Sequence, residues 1–166
     1  MKKIIAVLFA IGLSSSTLFA YETYREILID LSSQRAYAIE DGFVVFEGRI
    51  SSGKAGRETP NGEFEIIQKK RHHKSNLWPK PNGGAKMPYM MRLTNSGIAM
   101  HLGYVPNKPA SHGCIRLKNG FAQKMYRWAR VGTYVTIEGE ARDYMAGRGR
   151  DNYYDDYGII DIYDDY

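Results

Sequence analysis

The stretch that decides the fold class is residues 25–50, which read REILIDLSSQRAYAIEDGFVVFEGRI. It contains three runs rich in strand-forming residues, at 25–31, 35–39 and 43–50. The polar stretch Ser32-Ser33-Gln34 separates the first two runs. Asp41-Gly42 separates the last two and favours a hairpin, because both residues tolerate the positive φ of a type I′ turn. The pattern predicts a fold that begins with short strands.

Short β runs separated by turn residues continue through most of the chain. The turn Thr59-Pro60-Asn61-Gly62 leads into an alternating run at residues 63–68. Three further runs lie at residues 89–94, 98–102 and 133–138. A domain built from this many short strands is expected to be mainly β and β-sandwich-like.

One segment, residues 120–131, has a helical period. Asn119 is placed to cap its first turn, and Gly132 can adopt the left-handed conformation that ends a helix. Its apolar residues recur at spacings of four, three and one, which puts them on one face: Phe121, Met125, Trp128 and Ala129. We therefore predict one helix that packs on the sheet.

Residues 69–86 show neither a strand nor a helix period. The segment mixes a basic run with Trp78, two prolines and two adjacent glycines. A loop this long inside a compact domain is usually functional or mobile, so it is interpreted as a flap over the active site or as a solvated basic loop. His72 and His73 have no nearby carboxylate or thiol in the sequence, so no metal and no cofactor are expected.

The amino terminus has the layout of a secretory signal peptide. Lys2 and Lys3 precede an apolar run at residues 4–13, and Ala20 offers a small residue at a cleavage point. The apolar run is shorter than the roughly 20 residues that a membrane span needs. Residues 1–20 are therefore predicted to be removed on export, with no stable membrane anchor afterwards; an uncleaved anchor is the alternative because Leu18 is large for its position.

Charge divides the remaining chain into a basic body and an acidic tail. Residues 151–166 carry six aspartates and no basic residue, whereas residues 21–150 carry a net charge of +9. The basic charge suits a polyanion or simple solubility. Because export argues against nucleic acid, the expected polyanion is the cell wall. The expected domains are a catalytic domain at 21–140 and a tail at 141–166, whose few aliphatic residues are compatible with disorder.

The chain contains a single cysteine, Cys114, in the stretch Ser111-His112-Gly113-Cys114-Ile115-Arg116-Leu117. An exported protein with one cysteine cannot form an internal disulfide, so the thiol is a bystander, an intermolecular cross-link or a nucleophile. The neighbouring histidines favour the nucleophile. A thiol attacks as its thiolate and is only a few per cent ionised near neutral pH, so a base must remove its proton.

Two histidines are candidates for that base. His112 is two residues from Cys114, but neighbouring side chains in an extended segment need not meet. His101 lies near the end of the predicted strand 98–102, and residues 103–110 are long enough to fold back and place the thiol opposite it. We favour His101, with a backbone carbonyl as the candidate group that orients its ring.

The other residues of the motif are candidates for shaping the site. Gly113 permits close approach of a substrate, and the backbone N–H groups of Gly113 and Cys114 are candidate oxyanion donors. His112 and Ser111 are assigned to shaping this site, Ser111 either by a hydrogen bond or by completing a turn. Arg116 either binds a substrate carboxylate or makes a structural ion pair.

These residues resemble the signature of the L,D-transpeptidase catalytic domain (the YkuD domain). The likeness lies in residues 98–103 and 109–117, and it extends to residues 51–54, 59–64 and 132–137. It covers roughly residues 24–139. One departure is Leu102 directly after His101, where many members of the family have glycine.

The resemblance implies an exported β-sandwich-like transferase of peptidoglycan biosynthesis, active in cell wall biogenesis and cell shape, in the periplasm or cell wall. Cys114 would attack the carbonyl of the third residue of a stem tetrapeptide and release D-alanine. An amine would then resolve the acyl-enzyme, giving a 3→3 cross-link or attachment of a wall protein. The alternatives are an L,D-carboxypeptidase, with water as acceptor, and a non-catalytic wall-binding module.

Overall fold

A computed structural model describes residues 23–147 of the chain, other than Leu77, Lys80 and Asn82. The fold is mainly β, as the sequence predicts. The elements in chain order are β1 (Arg25–Asp30), β2 (Arg35–Glu40), β3 (Phe43–Ser51), β4 (Gly62–Glu65), β5 (Gln68–Lys70), β6 (Met90–Arg92), β7 (Ala99–Leu102), β8 (Ile115–Leu117), α1 (Phe121–Trp128), β9 (Tyr134–Glu138) and α2 (Ala141–Met145).

The nine described strands form one sheet in the order β4-β9-β1-β2-β3-β8-β7-β6-β5. Two pairs, β1 with β9 and β7 with β8, are parallel, and the remaining neighbours are antiparallel. The edge strands β4 and β5 are separated by only two residues of chain, Ile66 and Ile67. The sheet must therefore curl so that its two edges approach each other, which produces the sandwich-like fold.

The predicted single strand at residues 63–68 is wrong, because it is divided between these two edges. The N–H of Ile66 donates to the carbonyl of Thr133 beside β9, whereas that of Ile67 donates to the carbonyl of Arg92 in β6. Ile66 is fully buried and Ile67 is 45% exposed. The chain thus crosses the gap of the curled sheet at this point, and its alternating pattern serves two different strands.

The predicted apolar stripe of α1 packs against the core. Met125 and Ala129 are buried there, and Phe121 and Trp128 are partly buried against it. Helix α1 approaches β3 closely at Gly48, where an added Cβ would lie 2.6 Å from Cγ of Phe121. This contact places the helix beside the strand that pairs with β8, and β8 follows the cysteine directly.

The ends of the predicted helix differ from the structure. Helix α1 stops at Trp128 rather than at residue 131, and Ala129 is already extended. The ammonium of Lys69 donates to the carbonyls of Tyr126 and Ala129, so a side chain from β5 satisfies the end of the helix. The side chain of Asn119 accepts from the N–H of Gly120, and no side chain caps α1.

A second short helix, α2, lies in residues that the sequence analysis assigned to the tail. The prediction of a single helix is therefore wrong, and residues 141–145 are ordered. The acidic residues 151–166 and the predicted signal peptide lie outside the described residues. Among the residues described, no helix is long and apolar enough to cross a membrane.

Candidate active site

The site is assembled on the parallel strands β7 and β8. Their register pairs His101 with Arg116 and Met100 with Ile115. Cys114 immediately precedes β8, so one further step along the register sets it beside Ala99. Because side chains alternate between the two faces of a strand, His101 lies on the same face as Arg116 and Cys114. Cys114, one residue before β8, is therefore the diagonal neighbour of His101 in β7.

These side chains line one cavity of about 250 Å³. It brings together five of the six residues that the sequence analysis selected: His101, Ser111, His112, Cys114 and Arg116. The sixth, Gly113, lies in the turn between two of them. The hydrogen bonds described for the thiol and the imidazole do not join them directly, which is common in a site without substrate.

The imidazole of His101 is buried and held in one orientation. Its Nδ1 lies 2.8 Å from the carbonyl oxygen of Leu102. A carbonyl can only accept, so Nδ1 carries the proton and Nε2 keeps the lone pair that a base requires. Burial lowers the pKa of His101, and the charge of Arg116 lowers it further, although the hydrogen bond to Leu102 acts in the opposite direction. The imidazole is therefore neutral near neutral pH.

The thiol of Cys114 rests in its protonated form. Its Sγ donates to the carbonyl of Gly97 at 3.6 Å, a contact that requires the proton to be present. Burial raises the pKa of Cys114, while the backbone of Ala99 and the charges of Arg116 and Arg92 lower it in part. Deprotonation therefore needs an acceptor, and a neutral imidazole on the neighbouring strand is suited to that task.

The turn before the thiol depends on Gly113 and Ser111. Gly113 has φ of +107°, where an added Cβ would also lie 3.0 Å from Cδ1 of Ile98, so another residue would be strained in two ways. The hydroxyl of Ser111 accepts from the N–H of Gly113 and donates to the carbonyl of Cys114. Of the two candidate oxyanion donors, the N–H of Gly113 is therefore already bonded to Ser111. Ser111 both completes the turn and bonds within the site.

His112 is separated from the strand face that carries Cys114. Residues 112–114 form a bend, so His112 and Cys114 do not project together as they would in an extended segment. The ring of His112 stacks on the indole of Trp78, with centroids 4.5 Å apart and planes 10° from parallel. The guanidinium of Arg57 lies 4.3 Å from the centroid of the same indole. His112 therefore links the thiol loop, residues 111–114, to the segment at residues 69–86.

That segment is the one that shows no period in the sequence. Residues 71 and 89, 73 and 87, and 75 and 85 are joined by backbone hydrogen bonds, so its two arms run side by side. Four of its residues, Ser75, Trp78, Ala85 and Lys86, line the cavity of the thiol, and so does Met87 directly after it. The interpretation as a flap over the site fits this position, although its first two residues belong to β5.

Arg116 contacts the site without an acidic partner. Within the described part of the chain no carboxylate lies within ion-pairing distance of its guanidinium. Its aliphatic carbons pack closely on Gly103, where a Cβ would lie 3.0 Å from Cγ of Arg116. This packing favours the substrate-carboxylate interpretation over the structural ion pair, because the charge is placed in the cavity and left available.

A larger cavity lies elsewhere. A groove of about 980 Å³ is lined by residues including Thr59, Lys108, Pro109 and Met145, and it contains neither His101 nor Cys114.

Among residues 23–147, apart from the three that are not described, no three His, Cys, Asp or Glu side chains are grouped for a metal ion. Tyr104, which no local pattern distinguishes in the sequence, also lines the thiol cavity and is 78% exposed.

The sequence profile of the L,D-transpeptidase catalytic domain (YkuD) matches residues 24–137. The fold is similar to L,D-transpeptidases from Mycobacterium smegmatis (TM-score 0.64, 22% identity, 70% of this chain and 59% of that one) and Stackebrandtia nassauensis (0.65, 26%, 75% and 59%). It is also similar to L,D-transpeptidase 3 from Mycobacterium tuberculosis in complex with a faropenem-derived adduct (0.62, 22%, 70% and 61%). The chain spans less than two thirds of each of these proteins. No curated protein sequence matches it.

Proposed function

Since the chain belongs to the L,D-transpeptidase catalytic-domain family, we propose that it is an exported L,D-transpeptidase that acts on peptidoglycan stem peptides. The observation that carries the proposal is that Cys114, directly before β8, and an oriented His101 in the adjacent strand β7 line one cavity. A neutral thiol beside a neutral imidazole is the resting state from which a thiolate can be formed as the substrate binds.

In the proposed reaction, Nε2 of His101 takes the thiol proton and the sulfur of Cys114 attacks the carbonyl of the third stem residue. The carbon–sulfur bond forms, the bond to the terminal D-alanine breaks, and the imidazolium returns its proton to the departing amine. Arg116 binds the D-alanine carboxylate of the donor. An amine then attacks the thioester and regenerates the thiol.

The acceptor amine belongs to a second stem peptide, which gives a 3→3 cross-link, or to a wall-attached protein. Water in the same place would give an L,D-carboxypeptidase, because both acceptors attack the same acyl-enzyme. Export follows from the predicted signal peptide and from the location of the substrate, which sets the expected site of action in the periplasm or cell wall.

The test incubates purified residues 21–166 with tetrapeptide muropeptides and identifies the products by mass spectrometry. Cross-linked dimers are expected, and tripeptides without dimers would replace transfer by hydrolysis. Cys114→Ala is expected to abolish both products, whereas His72→Gln, which changes an exposed histidine, serves as the matched control. Unchanged muropeptides with the folded chain would contradict both reactions and favour a wall-binding module.

A covalent probe tests the nucleophile separately. Because a related protein is known with a faropenem-derived adduct, a β-lactam is expected to acylate this chain at Cys114. Intact-mass measurement should show one adduct per chain, and peptide mapping should place it on residue 114. An adduct elsewhere, or none, would contradict the assignment of the nucleophile.

A further inference from the structure

The peptide that joins Gly113 to Cys114 is held from its buried side by Thr59. The hydroxyl of Thr59 lies 2.9 Å from the carbonyl oxygen of Gly113, across 54 positions of sequence. The same hydroxyl oxygen accepts from the N–H of Gly53 at 2.8 Å. A carbonyl cannot donate, so the hydroxyl proton of Thr59 must point to Gly113. Both bonds are buried, which keeps the peptide from rotating.

The direction of the Cys114 N–H follows from that anchor. In a trans peptide the C=O and the following N–H point in opposite directions, so the N–H of Cys114 points away from Thr59. Thr59 lines the large groove, whereas Cys114 lines the thiol cavity. Because Cys114 itself lines the thiol cavity, the side opposite Thr59 is the side on which this N–H can meet a substrate bound there. Among the described residues, no hydrogen-bond acceptor contacts this N–H.

We infer that Thr59 is a positioning residue, which holds the Gly113–Cys114 peptide so that the N–H of Cys114 receives the oxyanion formed on the attacked carbonyl. The inference rests on the proposed acyl transfer and adds a residue to it. The N–H of Gly113 is bonded to Ser111, so the N–H of Cys114 is the donor left for this role at the turn. A preorganised donor of this kind acts mainly on the transition state.

The chain is built locally to place Thr59. An added Cβ on Gly53 would lie 2.0 Å from the carbonyl oxygen of Arg57 and 2.6 Å from the nitrogen of Thr59, so only glycine permits this close turn. Gly53 also forms a bridge with Ser111, and Ser111 N–H donates to the carbonyl of Ser52. Residues 52–53 and Thr59 thereby both bind the thiol loop, from which they are remote in sequence.

The test compares two reactions of the same thiol. Acylation by imipenem forms a carbon–sulfur bond and breaks the lactam carbon–nitrogen bond, with an oxyanion on the way. Alkylation by iodoacetamide displaces iodide at a saturated carbon and forms no oxyanion. Both depend on the thiolate fraction and on access to the sulfur, so the ratio of their rates reports the oxyanion donor.

Thr59→Val removes the hydroxyl at nearly constant volume. It is expected to lower the acylation rate roughly 10-fold to 100-fold, somewhat less than loss of a whole oxyanion donor, while alkylation changes little. Thr59→Ser keeps the hydroxyl and is expected to restore the wild-type ratio. A wild-type ratio in folded Thr59→Val would overturn the inference.

Two further outcomes keep the test decisive. If Thr59→Val does not fold, Thr59→Cys replaces it, with adducts read at residue 114 by peptide mapping; its weaker donor should lower the ratio by a smaller factor, and an unchanged ratio would refute the role. If the wild-type chain is alkylated but never acylated, the proposed acyl transfer itself fails, which is distinguishable from failure of the role of Thr59.

Discussion

At the scale of single residues, the proposed chemistry depends on the thiol of Cys114 and the imidazole of His101. Cys114 is buried enough to keep its proton, and His101 is buried enough to stay neutral and accept it. The carbonyl of Leu102 determines which nitrogen of the imidazole carries a proton. The side chain of Leu102 takes no part in this hydrogen bond, so its presence where many family members have glycine leaves the backbone contact intact.

The pH dependence of acylation follows from His101. The pKa of His101 is lowered from the ordinary value of 6.5, so the imidazole is still unprotonated somewhat below pH 6.5. Its capacity to accept the thiol proton is lost only when the pH falls through that lowered pKa. The rate of imipenem acylation against pH is expected to have its acidic inflection below 6.5. His101→Gln should abolish this inflection together with most of the rate; an inflection at or above 6.5 would contradict the assignment.

Arg116 should control affinity for the donor carboxylate. Loss of a hydrogen bond to a charged group costs about 1.5–3 kcal/mol, so Arg116→Gln is expected to raise KM for a tetrapeptide roughly 10-fold to 100-fold. A tetrapeptide with an amidated terminus should lose this difference. Lys118→Gln, which changes an exposed cation two residues away, is the control. Equal effects on the acid and the amide would show that Arg116 acts in another way.

At the scale of elements, the position of β8 depends on its neighbours. This three-residue strand pairs with β3 on one side and with β7 on the other, and it carries Arg116 at its centre. Helix α1 follows it and packs beside β3 through the contact of Phe121 with Gly48. The helix therefore stabilises the strand pair from which the site is built.

Gly48→Ala tests this packing. The added Cβ would overlap the ring of Phe121, and overpacking of this kind typically costs 1–3 kcal/mol, so the free energy of unfolding is expected to fall by about that amount. Urea denaturation measures it. Val45→Ala changes an exposed residue of the same strand and should have little effect; equal stability of the two variants would show that α1 can shift at no cost.

At the scale of the whole molecule, charge is distributed unevenly. The basic body carries +9, and residues 151–166 carry six aspartates. Acidic groups linked to a basic domain reduce its attraction for an acidic polymer. This effect is long-range and is screened by salt, with a Debye length of about 10 Å at 0.1 M.

Removal of residues 151–166 is expected to lower KM for acidic muropeptides at low salt, with the difference disappearing at high salt. A chain that keeps its length but has asparagine at the six aspartate positions should behave like the truncated one. Turnover measured against NaCl concentration provides the test. Identical kinetics of all three chains at low salt would dismiss a role for the tail charge.

Features that depend on neighbours along the chain can be predicted from the order of the residues. Strand periods, turn residues and the apolar stripe of α1 indicated the mainly β class and the buried helix face. A single cysteine near two histidines made Cys114 and His101 the candidate nucleophile and base, because a nucleophilic thiol needs a group that takes its proton. These inferences need no knowledge of which distant segments meet.

Features that depend on contacts between distant segments became visible in the folded chain alone. The division of residues 63–68 between two sheet edges requires the curl of the sheet. The stacking of Trp78 on His112 and the bond from Thr59 to Gly113 join residues 34 and 54 positions apart. A local pattern records whether a residue can form a strand, turn or helix; the partner of a given hydroxyl or ring is set by how the whole chain closes on itself.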